Sequence, residues 1–149
     1  MRLLPTAVVI TSLSLSCVGA RATGLADASA ILATLQAKAE QAQPRDKCFL
    51  YAEIVNHMTD LAGRQLNSGD YEQASKTLEL VRGYADKIHL DISDDSRKLK
   101  NAESLIEHTA YRLKDILHDA SYEDRAALEV TLKQLNEVQT QLMMQVFKK

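Results

Sequence analysis

Stepping through the chain in sevens from Tyr71 meets Leu78, Ala85, Ile92, Leu99, Ile106, Leu113 and Ala120, every one apolar or aromatic. A second row, offset by three residues, reads Ala74, Val81, Ile88, Asp95, Ala102, Thr109 and Ile116, apolar except at Asp95 and Thr109. Two such rows form the a and d seam of an α-helix with a period of about 3.5 residues. The stretch holds no proline and one glycine, Gly83. It predicts a single helix of roughly 50 residues, about 75 Å long at ~1.5 Å per residue. A helix of that length needs other helices along it to cover its seam.

The flanking segments supply them. Leu25, Ala28, Leu32, Leu35, Ala39 and Ala42 recur at alternating spacings of three and four, predicting an amphipathic helix over residues 25–43. Half of that stripe is alanine, so this helix is expected to be the least firmly docked element. Pro44 interrupts the pattern, because it has no amide hydrogen to donate and disfavours the α conformation at Gln43. A second helix follows over roughly Asp46 to Asn67, with Tyr51, Ile54, Val55, Met58, Leu61 and Ala62 turned inward. Asn67-Ser68-Gly69-Asp70 is the clearest turn, offering glycine to end one helix and aspartate to cap the next.

The phase slips after Ala120, which lies eight residues before Leu128, and Ser121-Tyr122-Glu123-Asp124 between them reads as a capping box. The last helix then runs from Tyr122 to about Phe147, with Leu128, Leu132, Leu135, Val138, Leu142 and Val146 as its stripe. It is expected to fold back antiparallel on the second half of the long helix, where Leu105, Ala110 and Leu117 widen the seam. The expected class is all-α, as a long central helix with an antiparallel helical hairpin at each end. The run Asp91-Ile92-Ser93-Asp94-Asp95-Ser96 offers side-chain caps for a fresh helix start. A turn there gives a compact four-helix bundle instead. Ile92 and Leu99 stay seven apart across it, which favours continuity, with Asp95 an unfilled core position and Asp94 paired to Arg97 and Lys98.

Leu61-Ala62, followed by Gly69-Asp70-Tyr71-Glu72-Gln73-Ala74 and then Leu78, resembles the helical hairpin of a tetratricopeptide repeat over about residues 52–85. The resemblance implies that Ala62, in the place of the family's preferred glycine, packs against Ala74. Shifting the pattern forward by the family's period of about 34 residues meets Ser96 and His108 where the two small residues belong. No second copy is read, and the family's peptide-binding groove is not carried over.

Composition agrees with helix-on-helix packing. The 149 residues are 46% hydrophobic and 26% charged, enough for one domain with a real core. Aromatics are 5% with no tryptophan, so that core is aliphatic. Met1-Arg2 is a short positive start, Leu3 to Val18 is an apolar and hydroxyl-rich run, and Gly19, Ala20 and Ala22 are small. Residues 1–22 therefore read as a secretory signal peptide, cut after Ala20 or, preferably, Ala22, leaving 23–149 as a single helical domain. A membrane anchor is the other reading, although the run falls short of the ~20 residues a span requires. Lipidation at Cys17 lacks the large apolar residue it needs at Ser14. The expected location is periplasmic or secreted.

Export changes how charge and cysteine are read. Without Arg2 and Arg21 the chain keeps 16 basic against 20 acidic residues, a net charge of −4. Such a surface has no electrostatic claim on nucleic acid, nor is stable membrane insertion expected after cleavage. Cys48 alone remains, so no intramolecular disulfide can form, and the CxxCH of a c-type haem is absent. Beside Phe49 and Leu50, Cys48 reads as a small buried residue, with an intermolecular disulfide as the other use.

Candidate chemistry is sparse. Asp86 with His89 and Asp115 with His118 have the three-residue spacing of ligands in di-iron bundles, but their heptad positions differ and the further inward carboxylates are missing. His57 near Glu53 and His108 beside Glu107 read as surface pairs. Met58, Met143 and Met144 could serve a haem, yet methionine at helical spacing reads as core. Arg97, Lys98 and Lys100 read as a neutralised helix surface. No phosphate loop, G-x-S-x-G or H-E-x-x-H occurs. No catalytic, cofactor-binding or metal-ligating residue is assigned, and no enzyme activity is expected. The expectation is an exported interaction or scaffold module that uses the groove between the end hairpins, or a dimer seam, to hold another protein, with a homodimer as a further reading. A metal- or haem-binding bundle is the alternative, which visible absorbance or bound metal would reveal.

Overall fold

The computed structural model describes residues 19–90 and 96–148, which form five helices and no strand. They are α1 (Gly19–Gln41), α2 (Pro44–Ser68), α3 (Tyr71–Leu90), α4 (Ser96–Asp119) and α5 (Tyr122–Val146). The all-α class is as the periodicity requires. Pro44 stands in the first turn of α2, where its missing amide hydrogen has no intrahelical partner to lose, and Gln43 before it is extended. Gly69 closes α2 in the left-handed conformation at φ 81°. Its amide donates to the Leu66 carbonyl, and that of Asp70 to the Gln65 carbonyl, satisfying two of the helix's last acceptors. The capping box at α5 is not formed as expected. Ser121 is the N-cap, but its hydroxyl donates to the Asp124 carboxylate at 2.5 Å instead of either side chain taking a backbone amide.

Pairs across the helices fix the topology. Gln65 meets Thr77 and Tyr51 meets Tyr84, so α2 and α3 are antiparallel. The two-residue connection at Ala120 and Ser121, with Glu103 near Gln139, makes α4 and α5 a second antiparallel hairpin. Between hairpins, Asp46 pairs with Lys98, Asn56 with Thr109 and Asp60 with Arg112. Both numbers rise together, so α4 lies parallel to α2. Arg82 with Thr131 and Asp86 with Gln134 set α5 parallel to α3 in the same way. Among the described residues α3 packs on α2 and α5 but not on α4, which places α3 and α4 at opposite corners of a four-helix bundle.

The single helix expected from Tyr71 to Ala120 is therefore corrected. Residues 91–95, with the predicted core position Asp95 and the predicted pairing of Asp94, lie outside the described residues. The elements on either side nevertheless exclude a rod, since α4 runs back along α2. The compact four-helix bundle, the less favoured expectation, is the arrangement found. The physical reason is that α3 and α4 face the same core. A sevenfold spacing then survives a reversal of the chain as easily as it survives a continuous helix.

The organising element is α2 instead. It packs against α1, α3 and α4, and its buried residues, Cys48, Leu50, Ala52, Ile54, Val55, Met58, Thr59, Ala62 and Gly63, cover more than half of its circumference, leaving His57, Arg64 and Asn67 on the exposed side. Ala62 and Ala74 are both buried. Gly63 brings α4 close: a Cβ there would stand 2.9 Å from Ile116 Cδ1. The second hairpin repeats the first at an interval of 51 residues, with Tyr71-Glu72 opening α3 and Tyr122-Glu123 opening α5. A search at ~34 residues passes over it because helices of 20 to 25 residues need a longer unit.

Candidate functional site

The residues marked by sequence for chemistry do not converge. His57 on α2 and His108 and His118 on α4 are exposed. His118 Nδ1 lies 3.1 Å from its neighbour Asp119 and not on Asp115. Asp86 accepts from Gln134 Nε2 at 2.6 Å, which ties it to α5 as a register contact; the side chain of His89 lies outside the described residues. Among the described residues no three His, Cys, Asp or Glu side chains are grouped to hold a metal ion. Cys48 is 1% exposed. Lys98 turns to Asp46 of α2, so the basic cluster of Arg97, Lys98 and Lys100 is partly a contact between hairpins. Glu72 is held below the usual carboxylate range, and Lys76 above the usual lysine range, by the hydrogen bond and charge attraction between them at 2.6 Å. Both are exposed, which makes them a surface pair.

Apolar surface is where the structure departs from the sequence reading. Met58 is core, but Met143 and Met144 stand 42% and 60% exposed, and Phe147 75%. The buried stripe of α5 is Leu128, Thr131, Leu135, Val138 and Leu142, so Met143 and Met144 follow it directly and fall off its edge. Together with half-buried Leu132 and Leu117 of α4, Met144 lines an open groove of about 570 Å³ along the outer side of α5, rimmed by Glu129, Lys133, Asn136 and Glu137. The Gln141 side-chain oxygen on the same face is sheltered and has no hydrogen-bond donor among the described residues. A sheltered acceptor beside exposed methionine and a polar rim has the make-up of a surface that gains by being covered. The signal was present in the sequence as apolar residues out of phase with the stripe.

Smaller clefts flank α1. One of about 370 Å³ holds Asp27, His57, Asp60, Arg64 and Arg112, and one of about 420 Å³ holds Lys38, Asp46, Phe49, Leu50, Glu53 and Lys98. Asp60 sits between two guanidinium groups, 2.6 Å from Arg64 and 3.7 Å from Arg112. Its charge is used within the fold, and no nucleophile stands beside it. Among the described residues no helix is long and apolar enough to cross a membrane. No protein-family model, curated protein or solved structure matches the chain.

Proposed function

We propose that this chain is an exported interaction module that holds another protein, and that it does so through the outer face of α5. The observation that supports it is the run of exposed apolar side chains at Met143, Met144 and Phe147 beside the Leu117 and Leu132 groove. Methionine and phenylalanine suit that role, because a flexible thioether adapts to a partner's shape and an aromatic ring brings large contact area. The hairpin of α2 and α3, with Gly69 at its turn and Ala62 and Ala74 buried, is taken as a tetratricopeptide-like unit. Export rests on the pattern of residues 1–22, of which 1–18 lie outside the described residues.

The test uses the chain from Thr23 onward as bait in an envelope extract of its own cell. Met144→Glu combined with Phe147→Glu alters exposed positions only, so helical circular dichroism and the melting temperature should be unchanged while capture of a partner falls at least tenfold. Equal capture by both baits would remove the α5 face from the proposal. Fractionation of cells with N-terminal sequencing should find the chain outside the cytoplasm beginning at Arg21 or Thr23. An uncut cytoplasmic chain would end the export reading.

A further inference from the structure

We propose that α1 is a displaceable strap, and that the α2 face beneath it is a docking site for an amphipathic helix of a partner, laid antiparallel to α2 as α1 is. The inference stands on a different surface from the α5 face and does not need it.

The four helices α2 to α5 are joined to one another by contacts that do not involve α1. Their hairpins are joined by Asp46 with Lys98, Asn56 with Thr109, Asp60 with Arg112, and Arg82 with Thr131. By contrast, among the described residues the backbone of α1 lies close to α2 alone. Among the described residues its fully buried side chains are Leu32 and Ala39, and its only side-chain hydrogen bonds, from Ser29 to Ala26 and from Thr34 to Ala30, stay within the helix. Half of its apolar stripe is alanine, so it removes little area from water. Gln43 is extended and Pro44 starts α2 by its own fixed φ, so α2 does not rely on α1 for its first turn. A helix attached in this way opens at lower free energy than the rest of the fold.

What the face accepts is shown by what lies on it. Asp27 of α1 shares a cleft with Arg64, Arg112 and the Asp60 that pairs with both, while Lys38 at the other end shares one with Asp46, Glu53 and the Lys98 that pairs with Asp46. The α2 and α4 side chains of the first cleft carry an excess of positive charge opposite Asp27 and those of the second an excess of negative charge opposite Lys38, which sets the direction of an incoming helix. The two clefts, about 370 and 420 Å³, leave room at Ala28 and Ala42 for larger apolar side chains than α1 carries. The fitting partner is a helix with an apolar stripe at three and four spacing, an acid near its start, a base near its end, and leucine or methionine where α1 has alanine. Tethering gives α1 a high effective concentration, so only a better-filling helix displaces it.

The probe is a fluorescein-labelled peptide of residues 24–43 carrying Ala28→Leu and Ala42→Met, titrated against the intact chain from Thr23 and against Leu32→Asp, which weakens the strap. Anisotropy should show at least tenfold tighter binding to Leu32→Asp. Adding Arg64→Glu and Arg112→Glu should weaken it again, and Asp27→Arg in the peptide should restore it. Native-state hydrogen exchange on the wild-type chain should release the amides of 26–41 through an opening that leaves α2 to α5 protected. Exchange of α1 only with the whole fold, collapse of the Leu32→Asp chain, or a folded variant that binds the peptide no better than wild type would each overturn the strap. Binding indifferent to the arginine and Asp27 changes would overturn the site.

Discussion

Thr109 of α4, fully buried, places its hydroxyl 3.1 Å from the side-chain oxygen of Asn56 on α2. The same hydroxyl lies 2.7 Å from the Leu105 carbonyl one turn back, so its single proton has two acceptors within reach. Two further seams are built alike. Thr77 of α3 donates to Gln65 of α2 at 2.8 Å, and Thr131 of α5 accepts from Arg82 of α3 at 3.1 Å. A slip of one helix along another would strand these groups against apolar neighbours. The threonines therefore fix the register that aliphatic stripes leave loose.

Two matched substitutions separate that role from packing. Thr109→Val removes a donor that Asn56 uses and should destabilise by about 0.5–1.5 kcal/mol. Thr59 is equally buried, but its hydroxyl has no partner among the described residues. Thr59→Val should then be neutral or stabilising by up to about 1 kcal/mol, because an unpaired polar atom leaves the core. Urea denaturation of both variants measures the difference, and equal effects would count against the register role.

Two glycines should respond in opposite senses to alanine. A Cβ at Gly83 meets nothing within 4 Å, so Gly83→Ala should stabilise by about 0.5–1 kcal/mol through helix propensity alone. Gly69→Ala places a side chain at φ 81° and should cost about 1–2 kcal/mol. Thermal melts of the two variants should move in opposite directions.

The contact between Lys98 and Asp46 joins the first turns of α4 and α2 with both side chains about one-third exposed. A double-mutant cycle with Lys98→Ala and Asp46→Ala should give a coupling of about 0.2–1 kcal/mol that shrinks in ~1 M salt. A coupling of zero at low salt would show that the hairpins dock without it.

Glu72 titrates below the ordinary glutamate range because Lys76 donates to it and attracts its charge. Its contribution to stability is present above the unfolded carboxylate's pKa and is lost as pH falls through the lowered folded value. Lys76 is raised, so its contribution is present below the unfolded lysine's pKa and lost as pH rises through the folded one. An NMR titration of Lys76→Ala should find Glu72 moved upward, and no movement would assign the shift to another cause.

Small-angle scattering distinguishes the bundle from a rod. The chain from Thr23 should have a radius of gyration of about 14 Å, as a compact domain of its size does. A helix of about 75 Å would by itself give about 22 Å.

The sequence by itself determined that the chain is helical, where α2 and α5 begin, that Gly69 closes α2, and most of the residues that face inward, although Tyr71 of the expected seam and Met143 and Met144 are exposed. Those are local properties, set by proline and glycine geometry and by the spacing of apolar side chains. It also marked α1 as weakly docked through its alanines. Only the tertiary structure decided that α4 turns back along α2, because periodicity records which face is buried and not which neighbour buries it. The antiparallel return of α5 on α4 was legible, but the same limit hid the docking of one hairpin on the other, the approach of Ile116 to Gly63 and the meeting of Thr109 with Asn56. Each depends on residues about 50 apart in the chain, whose pairing is selected by how whole helices fit together and not by anything written in the segments between them.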